Sequence, residues 1–368
     1  MSQSEVNQEV KTEGKEAPKK DLKIVVTGGA GFLGYHINLK INQITDYKNT
    51  LFFDIAEFEE GDYAKDITKV YGDVRDAKQM DEMLKGADVV IHCAAALPLW
   101  KKKDIYETNV DGTRIVCESC LKNKVGRMVF ISSTSVYGVP DVHPLYEHHP
   151  RVGVGPYGKS KIMGEEICEE YRTKGLPVAI LRPKSFIGTA RLGVFQILYD
   201  WIESGVKIPI IGNGNNRYQL FEVQDLVDAI LLCSTLPLEK VNDTFNVGAK
   251  EFRTVKEDVG EMCKYAGTGS RVMGTPAGPI KAVLRVFELL NLSPLYKWIY
   301  GTADTDSFVS IEKAQKQLGW DPKFSNAQAL IHSYQWYLDN KHTIQQGTGV
   351  THRIAWKQGV LGLFKKLL

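Results

Sequence analysis

Long apolar runs are missing from this 368-residue chain. No segment reaches the 18 or more apolar residues of a membrane span. Surplus charge is missing as well: Lys and Arg number 46 against 44 Asp and Glu, a formal net charge of +2. No basic block is interleaved with aromatics, so nucleic-acid binding has no compositional support. Cysteine is scarce, with six in all. Cys117 and Cys120 form one C-x-x-C, but no second pair stands at zinc-site spacing. Two small residues on one helix explain that pair better than a metal or redox motif, so no metal is expected. Reduced thiols in a cytoplasmic protein fit the pattern. The polar segment 1–20 lacks the apolar core of a signal peptide and reads as a disordered tail.

Glycine, by contrast, is plentiful and ordered. In Lys23-Ile-Val-Val-Thr-Gly-Gly-Ala-Gly-Phe-Leu-Gly34 an apolar strand pattern runs into Gly28, Gly31 and Gly34, and a helical pattern follows. A dinucleotide pyrophosphate needs that order. The first glycine makes the tight turn, the second admits phosphate to the backbone, and the third lets helix pack on strand. The helix start then offers unpaired N–H groups and a positive dipole end to the anion. A second strand, Thr50-Leu-Phe-Phe-Asp54, places a carboxylate 20 positions beyond Gly34. A ribose-binding acid is expected roughly 20 residues on. A carboxylate accepts from a ribose 2′-OH and repels a 2′-phosphate, and no Arg or Lys stands beside Asp54. NAD is therefore favoured over NADP.

Strand and helix patterns then alternate: 71–74 a strand end, 76–85 a helix, 87–93 a buried strand, 109–124 a helix. Residues 127–133 read as a strand, 157–173 as a helix, and 178–182 as a strand closed by Pro183. Continuous apolar strands separated by helices predict an α/β chain of Rossmann type, a doubly wound parallel sheet covered on both faces. Ligands then sit beyond the carboxyl ends of the strands. From Phe186 the texture changes to short elements punctuated by Gly, Asn and Pro. The expected division is an NAD-binding domain over 21–185 and a smaller substrate-binding lobe over 186–342, with some elements returning to the main sheet. Residues 280–290 are almost apolar all round, which suits buried packing or, alternatively, an apolar rim to a pocket. A linker and basic amphipathic tail follow over 343–368. Such a tail lies on a membrane surface, docks on its own core or docks on a second subunit, and the pattern leaves all three open.

Tyr157-Gly-Lys-Ser-Lys161 puts a phenol and an ammonium on one helical face. A free phenol ionises near pH 10, so a neighbouring lysine and a cationic nicotinamide would bring it toward working range. Tyr157 is then the base that takes a hydroxyl proton while hydride leaves the same carbon. Lys161 also suits the nicotinamide ribose. The strand end Ser132-Ser-Thr-Ser-Val-Tyr-Gly138 offers a hydroxyl to the substrate oxygen, Ser133 first and Thr134 in reserve.

With Gly72-Asp-Val74, His92-Cys-Ala-Ala95, Asn109-Val-Asp-Gly-Thr113, Leu181-Arg-Pro183, Phe245-Asn-Val-Gly248 and Leu318-Gly-Trp-Asp-Pro322, these motifs span residues 23 to about 340. Together the chain resembles the extended short-chain dehydrogenase/reductases of the NAD-dependent epimerase/dehydratase type. The resemblance implies that Phe32 and Leu33 join the three glycines at the cofactor, and that Asp73 and Val74 flank its adenine. It implies that Ala94, Ala95 and Ala96 pass along the cofactor, that Asn109 supports the active-site helix and a proton relay at the cofactor site, and that Pro183 lies near the nicotinamide. Nucleotide-sugar members often carry Arg-Asp-Phe before a Val-x-Asp; here Tyr218-Gln219 stands in place of that Arg-Asp. Arg217, one place away, and Arg191, after Gly188, are the remaining candidates for a substrate diphosphate. Three readings follow: an enzyme acting on a nucleotide-activated sugar, a hydroxysteroid or sterol dehydrogenase whose lipid-like substrate suits the apolar stretch 280–300, and a non-catalytic NAD-binding regulator.

Overall fold

A computed structural model describes residues 21–98, 100–190, 192, 194–289 and 297–342. The expected tail 1–20, the segment 343–368 and Arg191 lie outside the described residues. β1 (Ile24–Thr27), β2 (Thr50–Asp54), β3 (Thr68–Tyr71), β4 (Val89–His92), β5 (Arg127–Ile131) and β6 (Val178–Pro183) come first. β7 (Ser185–Ile187), β8 (Ile208–Ile211), β9 (Leu220–Glu222), β10 (Thr244–Val247) and β11 (Val272–Thr275) follow. Seven of these make one sheet in the order β3-β2-β1-β4-β5-β6-β10, with every neighbouring pair parallel.

Side chains alternate across a strand, and here both faces are apolar. Ile24, Val26, Phe52, Ile91, Val129 and Leu181 enter one core, closed by Ile37 of the helix Phe32–Lys40 and Leu226 of the helix Val223–Thr235. Val25, Phe53, Val90, Met128, Phe130 and Ile180 enter the other. Met80, Cys117, Cys120 and Ile167 cover it from the helices Ala77–Met83, Thr113–Lys122 and Gly155–Thr173. The C-x-x-C cysteines are thus small core residues on one helix.

β1 pairs with β2 on one side and β4 on the other, so the strand order reverses there. A crevice opens at the carboxyl ends where such a reversal occurs. After β6 the chain builds a lobe around Ile187, Tyr199, Trp201, Met262, Leu330 and Tyr334, with the small parallel pairs β7·β9 and β8·β11. It returns to the main sheet as β10. Capping boxes start two lobe helices, Thr254 with Glu257 and Ser325 with Gln328.

Two local expectations are corrected. The pattern over 109–124 is not one α-helix: Glu107–Gly112 forms a π-turn before the α-helix Thr113–Lys122. The side chain of Asn109, inside that turn, is engaged by the backbone of Ala96 and by Ser160. The apolar stretch after 280 is not buried all round either. Its helix, Ala277–Leu289, buries Leu284 and exposes Val283 and Val286, because it packs along one side only.

Candidate functional site

The carboxyl ends of β1, β2, β5 and β6 open on one cavity of about 470 Å³. Gly28, at the end of β1, has φ +72°, and a Cβ there would lie 2.6 Å from the backbone nitrogen of Ala94. Only glycine fits. A Cβ on Gly31 would meet nothing closer than the Gly28 carbonyl at 3.2 Å, so this backbone faces the cavity. A Cβ on Gly34 would run into the carbonyls of Gly28 and Gly29, which is the close approach of helix to turn. The Tyr63 hydroxyl donates to the Gly29 carbonyl at 2.7 Å and pins the turn. No side chain caps the helix Phe32–Lys40, whose first N–H groups are left for an anion.

Asp54 closes the β2 side. Its carboxylate accepts from the N–H of Ala30 and of Ala56, both at 2.9 Å. Burial raises its pKa, against hydrogen bonds from the backbone of Ala56, Ala30, Ile55 and Gly31. Asp73 and Val74 line the same end. Burial pushes the Asp73 carboxyl up, but the Arg75 guanidinium, donating from Nη2 at 2.6 Å, holds it below its ordinary value. Phe32, Leu33, Ala94, Ala95, Ala96 and Pro183 also line the cavity. The glycine cradle, the uncapped helix and the carboxylate fit NAD.

Asn109 does not line the cavity; it stands behind the wall. Its Oδ1 accepts from the Ala96 N–H at 2.7 Å, and its Nδ2 donates to Ser160 Oγ at 3.0 Å. Ser160 Oγ in turn donates to the Tyr157 carbonyl at 2.8 Å. His92 adds a second tie. Thr113 Oγ1 donates to the Asn109 carbonyl at 2.8 Å, so it accepts from His92 Nε2 at 3.1 Å; Thr27 Oγ1 then donates to Nδ1 at 2.6 Å. Burial, then the charge of Lys161, pulls His92 down to about 3, so the ring is neutral. The cofactor turn, the alanine loop and the Tyr157 helix are fixed to one another.

Ser133, Thr134, Tyr157 and Lys161 line the other end of the cavity with Pro183. Tyr157 sits in the first turn of Gly155–Thr173, where Pro156 suits the helix start. Lys161 Nζ donates to the Ile131 carbonyl at 2.8 Å and lies 5.9 Å from the centre of the Tyr157 ring. Burial draws its pKa down to about 8. Ser133 Oγ accepts from the Ser135 N–H at 3.1 Å, which orients the hydroxyl at the strand end.

Beneath these residues lies an ion cluster that no local pattern marks. Glu165, one turn after Lys161, is fully buried. Arg182 donates to both its oxygens, Nε at 2.9 Å and Nη2 at 2.7 Å. Arg151 adds a contact at 3.0 Å, and Ser132 Oγ donates to it as well. Arg182 Nη1 continues to the Tyr137 hydroxyl at 2.8 Å. Lys184, one residue past Pro183, is a further side chain missed from sequence. It is 3% exposed and lines the cavity, and its Nζ donates to Ser307 Oγ at 2.7 Å. Burial alone pulls it down to about 7.

Arg217 is not brought to this cavity. Its guanidinium is held over Phe252 and Phe308, 4.7 Å from each ring centre. Arg191 lies outside the described residues. None of the described residues between 280 and 300 lines the cavity.

Among the described residues no helix is long and apolar enough to cross a membrane. A model of the NAD dependent epimerase/dehydratase family matches residues 24–248. The uncharacterized protein y4nG of Sinorhizobium fredii is 35% identical over 92% of this chain and 84% of its own length. The UDP-glucose 4-epimerase of Halalkalibacterium halodurans is 27% identical over 87% of this chain and 97% of its own. The solved structure of a UDP-glucose 4-epimerase from Thermotoga maritima with UDP-glucose superposes at a TM-score of 0.71 and 23% identity, covering 86% of this chain and 99% of that one. Sheet order, glycine turn and family match agree: the chain belongs to the NAD-dependent epimerase/dehydratase family and is an NAD-dependent enzyme of the extended short-chain dehydrogenase/reductase type.

Proposed function

We propose that the protein acts on a nucleotide-activated sugar, oxidising a ring hydroxyl with Tyr157 as base. The observation that carries this reading is the convergence of Ser133, Tyr157 and Lys161 on the cavity that begins at Gly28 and Asp54. The substrate class draws support from the UDP-glucose 4-epimerases, which match this chain over nearly their whole length. For the lipid-alcohol alternative, residues 280–289 and 297–300 of the apolar stretch do not line the cavity.

Bound NAD supplies a ring that accepts the hydride and can return it. Tyr157 takes the hydroxyl proton, and the Lys161 ammonium, 5.9 Å from the centre of its ring, favours the charged phenolate by direct electrostatic attraction. At neutral pH Lys161 keeps its proton, since even after burial its pKa is about 8. Ser133 donates to the substrate oxygen, as its own Oγ already accepts from Ser135. In the reverse direction Tyr157 would return the proton to the same oxygen. The Asn109–Ser160 bonds keep the Tyr157 helix at a fixed distance from the alanine loop.

The test is an epimerisation assay with UDP-hexoses, run beside Tyr157→Phe. That variant keeps NAD affinity within twofold and loses kcat by about 100-fold or more. A variant retaining most of its kcat would place the base elsewhere. UDP should also protect the NAD-saturated protein from heating, by about 2.7 kcal/mol at 100 times its Kd. No turnover and no protection would remove the nucleotide-sugar reading.

A further inference from the structure

We propose that the Lys184 ammonium binds an oxyanion of the substrate, a phosphate or carboxylate oxygen held between the main sheet and the lobe. This rests on the nucleotide-sugar reading and adds the residue and the charge that would recognise it.

Lys184 is one of two basic residues among the described residues that line the cavity, and the other, Lys161, is engaged with Ile131 beneath Tyr157. An ammonium has three N–H donors and no acceptor. Among the described residues one of the three is used, on Ser307 Oγ at 2.7 Å. The charge also lies over the face of Tyr218, 4.8 Å from its centre. Among the described residues no carboxylate pairs with it, in contrast to buried Arg182, which faces Glu165. A cation buried without a counter-ion is destabilising, and an incoming anion would offset that.

Position gives the anion its place. Lys184 follows Pro183 at the carboxyl end of β6, and Ser307 belongs to the lobe segment that pairs backbone with Arg217 and Gln219. The ammonium therefore spans the seam between the half that holds the cofactor turn and the half that covers it. Tyr218 forms its floor, with its hydroxyl bonded toward Ser185 and Thr302. Arg217 cannot serve from its place over Phe252 and Phe308, away from the cavity lining.

The test is calorimetry on the full-length, NAD-saturated protein with UDP, UDP-glucose and UDP-glucuronate, comparing wild type with Lys184→Met and Lys184→Gln. Gln keeps a hydrogen bond to Ser307 without the charge, so it separates loss of the seam contact from loss of the cation. If the diphosphate is bound, both variants weaken UDP at least tenfold. If a sugar carboxylate is bound, UDP is unchanged and the preference for UDP-glucuronate over UDP-glucose falls at least tenfold. In either case NAD affinity stays within twofold, and below pH 7, where the lysine is charged, the ligand-free melting temperature of Lys184→Met does not fall, because the uncompensated charge has gone. Variants that bind all three ligands within twofold of wild type overturn this inference alone. A wild type that binds none of the three overturns the nucleotide-sugar reading and this inference with it.

Discussion

Replacing Glu165 with Gln keeps the shape of the side chain and removes its charge. The consequence follows from its surroundings. The carboxylate is fully buried, its main partner Arg182 has a side chain 4% exposed, and both Arg182 contacts are shorter than 3 Å. The neutral amide cannot balance the guanidinium, and its NH2 is turned toward other donors. Breaking one side of a buried pair costs about 3–5 kcal/mol, much of it the penalty of the charge left behind. For a chain of this length, roughly 2 °C per kcal/mol gives a fall in melting temperature of about 6–10 °C. Arg151, at 3.0 Å, loses a partner too but has solvent to turn to. The measurement is thermal and urea unfolding of wild type, Glu165→Gln, Arg182→Met and the double variant Glu165→Met/Arg182→Met. The double variant should be less damaged than the sum of the single changes, because each single change strands the other partner. Catalysis should fall along with stability, since Ser132 and Arg182 adjoin Ser133 and Pro183. A Glu165→Gln protein that melts within 2 °C of wild type, or a strictly additive double variant, would refute the reasoning.

Asp54→Asn should weaken NAD by about 10–100-fold, the range of a hydrogen bond to a charged group, and narrow the preference over NADP at least tenfold. Calorimetry with both cofactors decides it, and an unchanged ratio would assign the preference to another residue. Lys184 also makes stability depend on pH. Its folded pKa, about 7, lies below the ordinary 10.5, so between these values the unfolded chain holds a proton that the folded one does not. Stability relative to Lys184→Met should therefore rise with pH from about 7 toward 10, by up to about 1.4 kcal/mol per unit, and the penalty is fully present below 7. Parallel denaturation profiles at pH 7 and 9.5 would rule it out.

The legible parts of this protein were those whose meaning is local. Gly28, Gly31 and Gly34 are spaced by the geometry of one turn, and Asp54 ends the next strand, so their grouping follows from a few consecutive residues. The alternating cores on the two faces of the sheet were equally readable, because strands buried on both sides leave continuous apolar runs. Lys184 was not, since it depends on Ser307, 123 positions away, and on the ring of Tyr218. Arg217 is a candidate anion binder by its place beside Tyr218-Gln219, yet two phenylalanines from distant segments hold its guanidinium. The π-turn at Glu107–Gly112 lies behind an ordinary helical pattern, and the partners that hold its Asn109, Ala96 and Ser160, come from elsewhere in the fold. Glu165 reads as one more charged helix residue until Arg182 is set opposite it.

The seventh strand has a consequence for biosynthesis. β10 takes its place beside β6, yet sixty residues separate Pro183 from Thr244, and they build much of the lobe. At about 5–20 residues per second a ribosome needs roughly 3–12 s to deliver them. Throughout that interval the nascent chain carries β6 with one edge unpaired, its N–H and C=O groups open to any other strand. The sheet is closed on that side only after the covering half has been made, so a chaperone that shields this edge during synthesis would guard against aggregation better than one acting on the finished protein.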